Sequence, residues 1–108
     1  MADATRQTTL ETVAAGQTAQ ALGATGKAGD IIEVILAVPA STSPGAISIK
    51  DGAAGSAITV FAGGASSLSN LAPFPIPIGV YGEKARNAEG WLLTTGADIA
   101  VVAFGRFT

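Results

Sequence analysis

Among the carboxylates of this chain, Asp30, Glu33, Asp51, Glu83, Glu89 and Asp98 are the groups from which an acid pair could be built. Two carboxyls facing each other across a cleft are what glycoside hydrolysis requires. Their contexts suggest another use. Asp51 stands before Gly52 in what reads as a hairpin turn, and Asp98 opens a strand just after Gly96 and Ala97; short acids serve the backbone at both kinds of position. The run Gly23 to Ala28 (GATGKA) invites comparison with a phosphate loop. That motif needs four residues between its glycines, a hydroxyl after the lysine and a helix beyond. Here the spacing is too short, Ala28 replaces the hydroxyl and no helical period follows. Tyr81 and Trp91 could form an aromatic platform for a sugar ring; alternatively Trp91, which begins a strand after Gly90, caps the core or a subunit contact.

The chain contains neither Cys nor His. Structural zinc, thiolate nucleophiles, disulfides and imidazole acid–base chemistry are therefore closed to it, and a Ser–His–Asp triad cannot be assembled within one chain. A non-enzymatic protein without a cofactor is expected. The formal net charge is −2, and the six basic residues are scattered at positions 6, 27, 50, 84, 86 and 106. Nucleic acid wants clustered Lys and Arg, so it is not an expected partner. A membrane is not one either. The longest charge-free segment, residues 52–82, is interrupted by Gly63, Gly64, Pro73, Pro75 and Pro77, whereas a spanning helix needs about 20 consecutive apolar residues. No basic stretch followed by an apolar run marks residues 1–11, so a cleaved signal is not expected.

The elements that must carry any function are strands. From Gly29 onward the apolar pattern has period two, punctuated by Gly and Pro. Asp30 to Val38 is the strongest strand, with Ile32, Val34, Leu36 and Val38 set on one face and Ile31, Glu33, Ile35 and Ala37 on the other. Both faces are apolar, so both are expected to be covered, one by a second sheet and one by something else. Ala46 to Lys50 and Ala57 to Phe61 form a hairpin around Asp51 to Gly55, with Ile47 and Ile49 inward. Pro73, Pro75 and Pro77 remove alternate backbone donors, so the strand ending in Ile76, Ile78 and Val80 is predicted at a sheet edge. The charged interval 82–90 reads as a solvated loop. Trp91 to Thr95 and Asp98 to Phe104 complete the set. An all-β fold follows, an antiparallel β-sandwich or small barrel of jelly-roll-like type.

Residues 1–28 differ. Between Ala2 and Ala28 the larger apolar side chains are only Leu10, Val13 and Leu22. One weak strand is possible where Thr8, Leu10 and Thr12 alternate with Thr9, Glu11 and Val13. The segment is read either as a poorly ordered terminus or as an extended N-terminal arm that orders on a neighbouring subunit. The predicted organisation is thus an arm over 1–28 and a sandwich over 29–108.

Charge distribution says more about function than any motif. The 49 residues from Val34 to Gly82 contain only Lys50 and Asp51 as ionised groups, both at one hairpin tip. A monomer of this size exposes much of its surface, ordinarily covered with Lys, Glu, Arg and Asp. Interface cores are depleted of charge. A homo-oligomer, or a subunit bedded on a larger assembly, accounts for the pattern better than an Ala- and Ser-coated monomer.

The run GDIIEVILAVPASTSPGAISIKDG (29–52), then SAITVF (56–61) and GWLLTTGADIAVVAFG (90–105), resembles small virion proteins of tailed bacteriophages, head decoration (cement) proteins above all. The resemblance covers residues 29–108 and lies in strand-and-turn texture. It implies a β-rich, often trimeric protein at local threefold positions of the capsid surface, made in the bacterial host cytoplasm and bridging major capsid protein subunits. It brings no active site. On this reading Leu10 and Val13 are the expected capsid contact, and Ile31, Ile35, Ile99 and Val101 the expected core and subunit packing. The other expectation is a tail or fibre module that presents Tyr81 and Trp91 to a host glycan.

Overall fold

In the computed structural model, which describes residues 8–23, 28–64 and 75–108, eight strands form two four-stranded antiparallel sheets. They are β1 (Thr8–Val13), β2 (Gln20–Ala21), β3 (Ile31–Pro39), β4 (Ile47–Asp51), β5 (Ile58–Phe61), β6 (Ile76–Lys84), β7 (Trp91–Thr95) and β8 (Ile99–Phe107). The front sheet has the order β1-β8-β3-β6 and the back sheet β2-β7-β4-β5. Strands whose numbers sum to nine pair with one another, β1 with β8, β2 with β7, β3 with β6 and β4 with β5. The chain is thus one long antiparallel ribbon folded back on itself and wrapped into two layers. β3 joins β8, and β4 joins β7, to complete the sheets. This is jelly-roll connectivity, and the expected all-β sandwich is what the chain forms.

The core lies between the layers. Val13, Ile35, Ala37, Ile99, Val101, Ala103 and Phe107 enter it from the front, and Ile47, Ile49 and Leu93 from the back. Ile76 and Ile78 pack against it from β6, which occupies the front-sheet edge its prolines predict; Pro73 lies outside the described residues.

The stretch read as an arm contributes two strands. β1 pairs along β8, and Val13 is 1% exposed. Two adjacent threonines of β7 hold the following segment down. Thr95 Oγ1 donates to the Ala14 carbonyl (2.6 Å) and accepts from the Gln17 amide (2.9 Å), and Thr94 Oγ1 accepts from the Ala19 amide (2.9 Å). Leu22 is fully buried beyond them. The described part of the sandwich therefore includes β1 and β2, and is not confined to residues from Gly29 onward. A hydroxyl ladder and two buried apolar side chains, Val13 and Leu22, fix a segment whose composition alone reads as loosely held.

The far end is closed by Asp30, which is buried. Its Oδ1 accepts from Thr108 Oγ1 (2.9 Å) and its Oδ2 from the Thr108 amide (3.3 Å). Its main-chain carbonyl accepts from the Ala85 amide and from Trp91 Nε1. Removing the carboxylate in Asp30→Ala leaves those Thr108 donors without it, and a loss of about 1–3 kcal/mol is expected in chemical denaturation.

Candidate functional site

The six carboxylates do not form a cleft. Asp30 is buried at the sandwich end, and Asp98 sits in the β7–β8 turn in the left-handed region (φ 59°). Asp51 organises a turn. It accepts from the backbone amides of Arg86 (2.7 Å) and Asn87 (3.0 Å), while Asn87 Nδ2 donates to the Asp51 carbonyl (2.6 Å). Glu89 accepts from the Ala53 amide (2.8 Å). The charged interval thus extends β6 to Lys84 and then locks onto the β4–β5 tip. Burial works to raise the Asp51 pKa, but the Asn87 and Arg86 amides, the Asn87 side chain and the Arg86 charge outweigh it and hold the carboxyl below its ordinary 3.8. A lowered folded-state value means stability that is present above the unfolded pKa and lost as pH falls through the folded one. Asp51→Asn is expected to cost about 1 kcal/mol at pH 7, allowing for solvent screening, with the gap from the parent closing below pH ~4 in acid titrations of stability.

Trp91 is not a platform. It is 6% exposed, and its Nε1 donates to the carbonyls of Asp30 (3.1 Å) and Glu83 (3.2 Å). The indole plugs the end of the core because it follows the turn at Gly90 and points between the layers. Tyr81 lies in β6, and its side chain is outside the described residues. The phosphate-loop comparison falls largely on residues 24–27, also outside them.

Several expected contact residues likewise turn inward. Val13, Ile35, Ile99 and Val101 are buried in the chain's own core, so none offers a side chain to a shell or a second subunit. Ile31 is half-buried and Leu10 is 47% exposed. For β3 the reason is a β-bulge against β8 between Ile32 and Val34, where β3 advances two residues and β8 one; across the same step β6 advances four. The bulge inserts one residue, so Ile32 faces inward together with Ile35 and Ala37, while Val34, Leu36 and Val38 turn out.

The outward residues assemble the surface of interest. Register sets Leu10, Phe104, Val34 and Gly79 in one row across the front sheet and Thr12, Val102, Leu36 and Pro77 in the next. Ala100 and Val38 follow. Phe104 is 37% and Val38 36% exposed. No ionised group falls in these rows. The outer face of the back sheet differs, since Thr59, Ser48 and Thr94 share one row and Lys50 stands in the next. The sandwich has one dry outer face and one hydroxylic one.

At one end of the dry face, beside the bulge, Thr9, Ile31, Glu33, Gly82, Gly105 and Arg106 line a hollow of about 300 Å³. Gly82 has φ of 77°, and a Cβ there would meet Glu33 Oε1 at 2.7 Å. The outward face was missed as a set because its parity depends on the bulge, and nothing in the alternation of residues 31–38 marks where that extra residue lies. Among the described residues no helix is long and apolar enough to cross a membrane. Compared with known protein families, with curated proteins and with solved structures, the chain matches none.

Proposed function

We propose that this chain is a structural virion protein of a tailed bacteriophage, one that decorates the capsid surface, bridges neighbouring major capsid protein subunits and self-associates there. The observation that carries this reading is the dry outer face of the front sheet, an apolar surface without an ionised group in its central rows. Contiguous exposed apolar surface of this kind marks contact with other protein. The resemblance of residues 29–108 to head decoration proteins supplies the setting. The protein has no catalytic role and needs no cofactor, nucleic acid or membrane. Made in the host cytoplasm, it acts on the finished shell by additive binding, many modest contacts across the joints between subunits raising the barrier to rupture. Leu10 remains a contact residue on this reading, as part of the dry face; Val13 does not.

The test is co-sedimentation with purified empty heads. The parent protein is expected in the pellet, and heads that carry it are expected to resist heating better than bare ones. A parent protein that stays in the supernatant at all concentrations overturns the proposal. The glycan-binding alternative loses its main support with the burial of Trp91.

A further inference from the structure

We infer that two copies of this chain pair face to face through the dry outer face of the front sheet, about a two-fold axis that crosses the strands along the row Thr12–Val102–Leu36–Pro77. The inference rests on the self-association in that reading: it gives this face to a second copy, and contact with the shell then falls to the surfaces that the pairing leaves exposed.

Area is the first argument. β3, β6 and β8 each run nine residues. At ~3.3 Å per residue and ~4.8 Å between strands, the sheet presents a footprint of roughly 30 by 19 Å. That is nearly 600 Å² before side-chain relief is counted, against ~800 Å² per partner in a standard interface. The uncharged rows fill the middle and the polar residues Thr9, Glu33 and Arg106 lie toward one end, the arrangement of an apolar interface core with a polar rim. One sheet laid on it covers the face.

Complementarity then selects the occupant. Among the described residues the outer face of the back sheet carries the hydroxyls of Thr59, Ser48 and Thr94 and the ammonium of Lys50 beside Leu92 and Ala21, so a head-to-tail stack would set an apolar surface on a largely polar one. The dry face matches itself. Along β8 the outward positions read Ala100, Val102, Phe104 and Arg106, with Asp98 just before the strand. A two-fold axis over Val102 reverses that order. It lays Phe104 over the second copy's Ala100, large against small, and Arg106 over the second copy's Asp98, base against acid. Both charged residues are exposed. Two sheets packed in this way sit about 10 Å apart with their strands within about 30° of each other. The contact is isologous and closes at two copies, not at the three that the resemblance implies.

Light scattering on the full chain tests it. The expected molar mass is twice 10.6 kDa. Phe104→Glu is expected to give single copies with an unchanged far-UV circular dichroism spectrum. Arg106→Asp is expected to weaken the dimer at least tenfold at low salt, and addition of Asp98→Lys to restore most of the loss, a rescue that a merely misfolded variant would not show. A parent protein that is single at millimolar concentration, a trimer, or a dimer indifferent to Phe104→Glu and to Arg106→Asp overturns the inference. Co-sedimentation with empty heads separates the two claims. Single copies that bind heads sink the pairing alone, and dimers that ignore heads sink the decoration role alone.

Discussion

Replacing Trp91 with Ala is expected to remove about 3–5 kcal/mol of folding stability, the range for truncating a large buried aromatic. Domains of this size are held by roughly 5–15 kcal/mol, so the loss is a third or more of the total for most of that range and brings a domain at its low end to the unfolding midpoint at room temperature. The indole fills the end of the core where Leu22, Ala85 and Phe107 are also buried, and its N–H bridges the carbonyls of Asp30 and Glu83. Trp91→Phe separates the two contributions. It keeps most of the packing, leaves those carbonyls without the indole donor and should cost about 1–2 kcal/mol. Urea titrations followed by circular dichroism read both. A Trp91→Ala protein as stable as its parent would mean that the ring lies outside the core and would revive a platform role.

Gly105→Ala is expected to be nearly as damaging, at about 3 kcal/mol, the upper end for overpacking. Gly105 sits in β8 where the bulge of β3 brings the Ile31 carbonyl against its Cα, and a Cβ would collide with that carbonyl oxygen. Neither backbone can yield without breaking the β3–β8 ladder. Gly82→Ala, across the same hollow, makes the informative contrast. Its added Cβ comes too close only to the movable end of Glu33, with Ile31 at ordinary contact distance, so its cost is that of a left-handed non-glycine residue, about 1–2 kcal/mol. Equal losses in the two variants would show that the close approach at Gly105 is not what fixes the bulge.

The strands were largely legible. The alternation of residues 30–38, the hairpin around Asp51-Gly52 and the apolar runs at 91–95 and 98–104 became β3, β4–β5, β7 and β8, each within a few residues. Proline spacing placed β6 at an edge, because a donorless strand pairs on one side only. Facing was legible only where no bulge intervenes. In β4 and β8, strict alternation matches burial, whereas in β3 the residue inserted at 32–34 reverses parity from Val34 onward and puts Ile35 on the same inward side as Ile32, which strict alternation sets on opposite faces. β1 and β2 were weak in sequence because their fixation is supplied from outside, by β8 and by the hydroxyls of Thr94 and Thr95 some 75 or more positions away. Strand order, and with it the asymmetry between a dry and a wet face, arises from pairings of that range, which local periodicity does not encode.

Because β8 lies between β1 and β3, and β7 between β2 and β4, each layer receives an interior member from the last two strands to be synthesised. A nascent chain halted before Trp91 holds β1 and β2 with nothing to dock against. β3–β6 and β4–β5 can pair before that point, but completion of both layers is postponed until translation has passed Phe107, and it requires loop closure between distant segments.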